Sequence, residues 1–433
     1  MQAEARPHVH ITPPSGWLND PVGGFYHRGE YHLFYQHVPG TTQWRLDCHW
    51  GHVSAPDLVR WRHLPVALSP GDGDDGVWSG AAAMDGSGPV LLYTSVVAGQ
   101  LDTGRVRVAR PLDETLIRWR KDADVLRLRA PSGVHVTHFR DPFVWGTPGH
   151  WRMLVGAGLG RRGGGVVAYS GPDLRTWTLD GILAADDGAG LGDVWECPQY
   201  LEIGGVPILV TSVMQNDVGS RILATAGRWR GASFEPGAWL QVAYGAAAYA
   251  LSVFADARGE YAGIAWLRHE GGGTSPDGWA GVLSLPVELT IGPEGVLRVS
   301  AHPDVATLRT SRLPVATGDG SAHAVCPADA AVDVEAALST AGRLRLIGAG
   351  ASVTFAADGD AIVMQSPTDA RRIPSPRSHD RALRVVADRG VIEAWTGEGR
   401  WAALRLPGFV LGRVELSQGG GLAAWRLEPV FDS

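Results

Sequence analysis

Short segments in which apolar and polar residues alternate recur along the chain, most clearly in its C-terminal third. In residues 343–347, 352–355 and 383–386, polar and apolar residues alternate at nearly every position, and glycine or aspartate bounds these segments. A period of two is typical of half-buried antiparallel strands, and no segment of useful length has a helical period. The pattern predicts an all-β protein whose C-terminal part forms a β-sandwich.

A tryptophan-containing motif repeats in the preceding part of the chain. The sequence at residues 54–61 recurs at 170–177, with a looser copy midway, so that 58 residues separate each repeated tryptophan from the next. A repeat of this length built from short strands is typical of four-stranded propeller blades. The tryptophans that we interpret as core anchors are Trp61, Trp119 and Trp177. The predicted domains are a five-bladed β-propeller over residues 1–300, a linker over 301–315 and a β-sandwich over 316–433.

Composition and charge fit such a protein and exclude some partners. The chain has 433 residues, of which 45% are hydrophobic and 19% charged, with 58 glycines, 28 prolines and 17 tryptophans. Abundant glycine, proline and aromatic residues are typical of short strands joined by tight turns. The formal net charge is −7 and Lys and Arg are dispersed, whereas nucleic-acid binding needs a basic stripe. We therefore expect no nucleic-acid partner.

The sequence pattern also argues against membrane, disulfide and metal chemistry. Residues 1–7 have no apolar core, so we expect no secretory signal. The uncharged run around residues 236–255 is interrupted by glycine and glutamine, which indicates buried strands and no membrane span. The three cysteines are odd in number and widely spaced, which predicts neither disulfides nor a metal site. We expect a cytoplasmic protein without metal or cofactor.

Three carboxylates lie in short frames that contain tryptophan, phenylalanine and proline. Asp20 and Asp141 directly precede a proline, and Glu196 is one residue removed from one. A residue before proline is pushed into extended geometry, so we expect each acid at a strand end where the chain turns. Two converging carboxylates can cleave a glycosidic bond, one as nucleophile or base and the other as acid. The alternative is that the three are unrelated surface acids at turns.

These motifs belong to a series that runs along most of the chain. The segments are residues 17–21, 31–36, 49–52, 78–80, 140–142, 195–198, 279–286 and 388–393. In this order they resemble family 32 of the glycoside hydrolases, the invertases, fructan exohydrolases, inulinases and levanases. The resemblance implies a five-bladed propeller followed by a β-sandwich, which agrees with the repeat. For the last segment we favour a structural role.

The resemblance implies a role for each acid. Asp20 would be the nucleophile that forms a covalent fructosyl-enzyme. Glu196 would be the general acid that protonates the leaving oxygen and then the base that activates water. Asp141 would hold ring hydroxyls and stabilise the oxocarbenium-like transition state. The nucleophile and the acid need different environments, and we expect apolar neighbours to desolvate Glu196 while Asn19 donates to Asp20.

A sugar-binding shell is implied in the same way. Gln36 would hydrogen-bond the fructosyl unit, and two tryptophans and a serine would line the mouth of the pocket, because an indole can stack on a sugar ring. Tryptophans also build blade cores, which is the structural alternative for them. The predicted substrate-binding residues are Asn19, Gln36, Trp44, Trp78, Ser79 and Arg140.

The chain departs from the family pattern at three places near this site. Val22 stands where the family usually has asparagine, Asp47 and Cys48 replace the more usual asparagine and methionine, and alanines occupy residues 246–248. Alanines there would widen the rim and remove polar contacts. The loop at Val22 borders the leaving-group side, so its change puts a preference for glucose as the leaving group in doubt.

The sequence thus predicts a retaining, exo-acting β-fructosidase that hydrolyses short fructosides such as sucrose, fructo-oligosaccharides and fructan-derived disaccharides. The alternatives are a fructosyltransferase with the same catalytic residues and, in another class, a fructan-binding protein without catalysis. An arabinan-cleaving five-bladed enzyme is disfavoured by the motifs at 17–21 and 195–198. The expected partner is a small carbohydrate, and linkage preference, phosphorylation of the substrate and oligomeric state stay open.

Overall fold

The computed structural model describes residues 5–101, 104–216, 218–231, 233–268, 278–376 and 381–431. Strands dominate, and two short 3-10 helices lie in connecting segments, at Gly160–Arg162 and Pro303–Leu308. Within these ranges, neither helix has the length and apolarity that crossing a membrane requires. The prediction of an all-β fold is confirmed.

The first part of the chain forms four consecutive antiparallel sheets of four strands each, with every strand paired to the next one along the chain. These blades are β1 (Gly16–His27), β2 (Glu30–Val38), β3 (His49–Ala55) and β4 (Arg62–Leu68); β5 (Gly76–Met84), β6 (Pro89–Val96), β7 (Arg105–Pro111) and β8 (Trp119–Arg127); β9 (His138–Thr147), β10 (His150–Gly158), β11 (Gly164–Gly171) and β12 (Thr178–Ala185); β13 (Val194–Ile203), β14 (Val206–Gln215), β15 (Val218–Arg230) and β16 (Ser233–Gln241).

A fifth blade completes the propeller and joins it to the first. The strands that follow are β17 (Ala243–Tyr244), β18 (Ala248–Ala255), β19 (Tyr261–Leu267), β20 (Trp279–Ala280), β21 (Val282–Leu283), β22 (Val287–Ile291) and β23 (Leu297–Ala301). The fifth sheet has the order β18-β19-β22-β23, whereas β20 pairs in parallel with β1. A strand from the last part of the propeller, β20, therefore pairs with β1, the innermost strand of the first blade. This pairing closes the ring. The predicted five-bladed propeller is confirmed.

The repeated tryptophans occupy equivalent places beside the outermost strands of three blades. Trp61 donates its indole N–H to the carbonyl of Leu58 at 2.8 Å, and Trp119 donates to Leu116 at 2.8 Å. Trp177 makes the same contact, three residues back along the chain, at 3.3 Å. The repeat seen in the sequence therefore marks the turn that enters each outer strand, in agreement with the interpretation as core anchors.

The C-terminal region is one folded-over sheet that forms two layers. Its strands are β24 (Arg309–Arg312), β25 (Val315–Gly318), β26 (Ser321–Val325), β27 (Val332–Gly348), β28 (Ala351–Asp358), β29 (Ala361–Gln365), β30 (Ala370–Pro374), β31 (Arg381–Asp388), β32 (Val391–Thr396), β33 (Trp401–Arg405) and β34 (Leu411–Leu427). Strands β27 and β34 pair along both halves, with a break between Leu338 and Arg343. The first half of β27 pairs with β31 and the second half with β28, so each long strand contributes to both layers. The arrangement is consistent with the predicted β-sandwich. The exact domain boundaries stay a prediction.

A buried histidine connects the propeller to the C-terminal region. His10 Nδ1 lies 2.8 Å from Asp388 Oδ2, and its Nε2 lies 3.1 Å from Glu393 Oε1. Glu393 also accepts from the backbone N–H of Leu285 at 2.7 Å and from the indole of Trp401 at 2.9 Å. Because both ring nitrogens face carboxylates, the doubly protonated imidazolium fits this site. The segment 388–393 is therefore structural, as the sequence analysis favoured.

We expect this contact to make stability depend on pH. Burial alone would lower the pKa of His10, but the hydrogen bonds to Asp388 and Glu393 raise it from 6.5 to about 9. Because the pKa is higher in the folded than in the unfolded protein, the stabilisation is complete below pH 6.5 and is lost as the pH rises through about 9. Thermal unfolding measured across this range should show a falling midpoint.

His10→Gln should unfold at a lower temperature and lose this part of the pH dependence. Breaking a buried ion pair typically costs about 3–5 kcal/mol, since the remaining charge is left uncompensated. His323→Gln, a histidine on strand β26, is the matched control and should leave the profile unchanged. A variant at His10 with the wild-type profile would show that the imidazolium does not form.

Candidate active site

All five innermost strands are bulged at the same depth, near their N-terminal ends. The pairing register skips one residue at Leu18/Pro21 on β1, Trp78/Gly80 on β5, Arg140/Phe143 on β9, Glu196/Gln199 on β13 and Tyr249/Ser252 on β18. A bulge bends its strand and re-aims a side chain. The bulges direct the three acids of β1, β9 and β13 towards the propeller axis.

The bulges correct one expectation. We expected the residue before proline to be extended, yet Asp141 has a φ of 66° and Cys197, which precedes Pro198, has a φ of 45°. The acids also lie inside strands and not at their ends. A left-handed conformation is costly for a residue with a side chain and persists only where the surroundings impose it. Here the bulged ladder imposes it and sets the direction of the acids.

Asp20 receives hydrogen bonds from three neighbouring side chains. Ser79 Oγ donates to Oδ2 at 2.8 Å, Gln36 Nε2 donates to the same oxygen at 3.3 Å, and Asn19 Nδ2 donates to Oδ1 at 3.1 Å. Asn19 is oriented in turn by the indole of Trp17, which donates to its Oδ1 at 2.9 Å. The expected contact between Asn19 and Asp20 is present, and the donors favour the ionised carboxylate.

Glu196 lies in a polar environment, which differs from the apolar one we expected. Arg140 donates from Nε at 3.0 Å and from Nη2 at 2.8 Å to Oε1, and the hydroxyl of Tyr249 donates to Oε2 at 2.5 Å. The side chain of Trp195, the preceding residue, packs in the core between blades, since successive strand residues face opposite sides. The expectation that apolar neighbours desolvate Glu196 was therefore wrong.

Asp141 is buried between the segments that carry the other two acids. Its carboxylate Oδ2 accepts from the backbone N–H of Cys197 at 3.1 Å, and its own N–H donates to Thr94 Oγ1 at 2.8 Å. The thiol of Cys197 lies 3.7 Å from Asp141 Oδ2 and 4.0 Å from Asp20 Oδ2. Arg140 bonds to Glu196 and not to the adjacent Asp141, as strand alternation predicts.

Burial and repulsion between carboxylates shift the pKa values of Asp20 and Asp141. Burial, followed by the charge of Glu196, raises the pKa of Asp20 to about 6, although Ser79 and Asn19 oppose the rise. Burial raises the pKa of Asp141 to about 7, with Arg140 lowering it and the charges of Glu196 and Asp20 raising it. Two carboxylic acids that share one dry space cannot both ionise at ordinary pKa values. Strongly perturbed acids in a concave site are typical of catalysis.

The remaining predicted residues divide between the wall and the mouth. Gln36 Nε2 donates to Ser79 Oγ at 2.5 Å, which links both residues to Asp20. Trp78 is only 8% exposed and donates its indole N–H to the carbonyl of Leu46 at 2.9 Å. Trp44 is 48% exposed, with its ring centroid 5.7 Å from that of Trp78. Trp44 therefore has an exposed surface that a ligand can contact, whereas Trp78 is buried, with its ring centre 5.6 Å from the guanidinium carbon of Arg140.

A cavity surrounds the propeller axis beside the acids. It has a volume of about 400 Å³, including the space open to solvent, and residues of all five innermost strands line it. These residues are 21–24, 79–82, 141–143, 197–199 and 252–253. Most are small or are glycines, so the backbones approach the axis closely. Asp141 lines this cavity, and Asp20 and Glu196 directly precede its lining residues Pro21 and Cys197.

Comparison with known proteins agrees with this geometry. Residues 10–300 match the model for the glycosyl hydrolases family 32 N-terminal domain. A sucrose-6-phosphate hydrolase of Escherichia coli is 31% identical over 424 residues, which cover 91% of this chain and 87% of that protein. The chain belongs to glycoside hydrolase family 32. It is a glycoside hydrolase, and the resemblance stated from the sequence is confirmed.

Other members of family 32 are similar over shorter or longer ranges. A raffinose invertase of Escherichia coli is 35% identical over 301 residues, which cover 65% of this chain and 62% of that protein. A β-fructofuranosidase of Bombyx mori superposes with a TM-score of 0.85 at 25% identity, covering 99% of this chain and 95% of that one. A variant of the Bombyx mori enzyme has been solved in complex with sucrose.

Sequence reasoning missed two members of the site. Tyr249 lies in the segment 245–250, which resembles a family 32 segment. In that segment we considered only how the alanines change the rim of the site, and not the hydroxyl of the tyrosine. Thr94 orients the backbone of Asp141 from the neighbouring blade, and no local motif marks it. The place of Tyr249 in the segment 245–250, which resembles a family 32 segment, was the signal that could have identified it.

The pKa of Asp20 predicts the acidic limb of the activity profile. If Asp20 must be ionised to react, kcat/KM should fall as the pH drops through about 6. Ser79→Ala removes the donor that favours the ionised form, so the midpoint should move upward by roughly one pH unit. The measurement is kcat/KM against pH. Because Asp20 and Asp141 interact, the limb belongs to the pair.

Ser170→Ala is a matched control for this variant. The hydroxyl of Ser170 also donates to an aspartate, Asp180 Oδ1 at 2.7 Å, but at an exposed position. This control should keep the wild-type profile. If the acidic limb of the kcat/KM profile does not shift in Ser79→Ala, the assignment of this limb to Asp20 is contradicted.

Proposed function

We propose that the protein is a retaining, exo-acting β-fructosidase that releases terminal β-D-fructofuranosyl units from short fructosides. The observation that carries the proposal is the convergence of two differently held carboxyl groups. Asp20 receives hydrogen bonds from neutral side chains, whereas Glu196 is held by Arg140 and Tyr249. Two different roles need unequal surroundings, and the resemblance to family 32 implies which group is the nucleophile and which the acid. The named activities of the relatives, sucrose-6-phosphate hydrolase and β-fructofuranosidase, support the same class.

In the first step, Asp20 attacks the anomeric carbon of the fructosyl unit. The bond from this carbon to the leaving oxygen breaks, and Glu196 gives its proton to that oxygen. The product is a covalent fructosyl-enzyme and a free leaving group. Ser79, Gln36 and Asn19 keep the attacking carboxylate oriented and ionised.

In the second step, water replaces the leaving group. Glu196 now accepts a proton from the water, whose oxygen attacks the anomeric carbon, and the bond to Asp20 breaks. Two inversions give net retention, which requires the two carboxyl groups to lie close together, about 5–5.5 Å apart. The charge of Glu196 contributes to the raised pKa of Asp20, which supports a close approach.

Asp141 would act by binding and not by reacting. Its carboxylate is fixed by the backbone N–H of Cys197 and by the bulge that holds its own backbone. In this position it can accept hydrogen bonds from ring hydroxyls while positive charge develops at the anomeric carbon. An interaction that strengthens in the transition state lowers the barrier.

The position of the acids supports exo action on a terminal sugar. They lie on the innermost strands of three of the five blades that surround one axis. A site enclosed by a ring of blades admits the end of a short chain, whereas an endo-acting enzyme needs an open cleft. Trp44 at the mouth offers an exposed indole to the sugar beyond the cleaved bond.

Product analysis tests the proposed function. The protein should be incubated with sucrose and with β-2,1-linked and β-2,6-linked fructo-oligosaccharides, and the released sugars identified. Fructose should be the only sugar removed from the chain end, and Asp20→Ala should abolish its release. The exposed Asp180→Ala is the control and should be fully active.

Three other outcomes would contradict the proposal. Longer products that appear at the expense of fructose would indicate transfer to a second sugar. Internal fragments would indicate endo action. Binding of fructosides without any turnover would indicate a carbohydrate-binding protein.

A further inference from the structure

Arg268 connects three separate segments around Tyr249. It follows strand β19, and its Nη2 donates to the carbonyl of Ala246 at 3.0 Å and to that of Ser220 at 3.3 Å. Its Nη1 donates to the carbonyl of Gly219. The guanidinium carbon lies 4.6 Å from the centre of the Tyr249 ring, which is a cation–π contact. One side chain thus ties the fourth blade to the fifth and covers the tyrosine.

Gly219 provides the space that this arrangement needs. A Cβ atom at this position would lie 2.8 Å from Arg268 Nη1 and 2.9 Å from Cζ of Tyr249. These distances are too short for real carbon contacts, so a methyl group would displace one or both side chains. The backbone of Gly219 does not have a positive φ, so alanine is acceptable for the chain itself. The glycine is required for the packing of Tyr249 and Arg268.

The Tyr249 hydroxyl in turn contacts the group that we assign as the acid. It donates to Glu196 Oε2 at 2.5 Å, and Arg140 occupies the other oxygen, Oε1. The Tyr249 ring therefore fixes one side of the carboxyl group, and a small movement of the ring changes where Glu196 points. Catalysis is sensitive to such shifts, because proton transfer requires hydrogen-bond geometry with the reacting atom.

We propose that Arg268 and Gly219 are positioning residues that act through Tyr249 on proton transfer by Glu196. Arg268 holds the ring from one side, and the absence of a side chain at Gly219 leaves room for it. Neither residue touches the reacting atoms. This inference rests on the proposed function, since it requires Glu196 to be the proton donor.

The test compares two substrates in Gly219→Ala and Arg268→Met. One substrate is the natural fructoside that is cleaved best; the other is an aryl fructoside whose leaving group departs without a proton. Loss of a general acid costs on the order of 10²–10⁴-fold. Misplacing it should lower kcat on the natural substrate by roughly tenfold, with KM changed less than about twofold. Formation of the fructosyl-enzyme from the aryl fructoside should change by less than about twofold.

Three further variants make the test specific. Glu196→Ala is the reference that should show the full difference between substrates. Arg268→Lys keeps the charge over the ring and should recover part of the loss seen in Arg268→Met. Arg221→Met is the control, since Arg221 also donates to a carbonyl, that of Gly190 at 3.0 Å, and it should behave as wild type.

The outcomes separate this inference from the proposed function. If Glu196→Ala itself affects both substrates equally, the assignment of the acid is wrong. The positioning role is wrong if Glu196→Ala loses more activity on the natural fructoside than on the aryl fructoside, while folded Gly219→Ala and Arg268→Met show no such difference. It is also wrong if these two variants retain full activity. Thermal unfolding establishes that each variant is folded. Should either fail to fold, Tyr249→Phe decides: the same discrimination supports the route through the hydroxyl, and its absence overturns it.

Discussion

The convergence of three carboxylates near the propeller axis is the constraint on which this site depends. Asp20, Asp141 and Glu196 lie close together, and burial with the charges of neighbouring carboxylates raises the pKa of Asp20 to about 6 and that of Asp141 to about 7. Arg140 is a cation at this site, and it bonds to Glu196. The three acids are therefore held by unequal partners.

The propeller fold supplies the positions that this chemistry needs. Five strands converge on one axis, and each carries a bulge at the same depth, so residues far apart in sequence point into one pocket. The ring must stay closed for the pocket to persist. Pairing of β20 with β1 closes it, and the buried His10 ties the same N-terminal segment to the C-terminal region. Closure and catalysis thus depend on neighbouring parts of the chain.

Sequence was sufficient for the fold class and for which acids converge, because both rest on local patterns. The tryptophan repeat marks the turn into each outer strand, and the frames around Asp20, Asp141 and Glu196 stand out locally. Contacts between distant blades carry no such pattern. The bond from Tyr249 to Glu196 spans 53 positions of the chain, and the left-handed backbone of Asp141 follows from a bulge that only the paired strand defines. The polar clamp on Glu196 was missed for this reason.

The central claim is that Asp20 forms the covalent bond to the sugar. It can be tested by treating Glu196→Ala with an aryl fructoside, because the first step proceeds without the acid while the second lacks its base. The intermediate should accumulate, and mass spectrometry of the digested protein should find one added fructosyl unit on the peptide that contains Asp20. A label on Asp141 instead, or full turnover with no labelled peptide, would contradict the account.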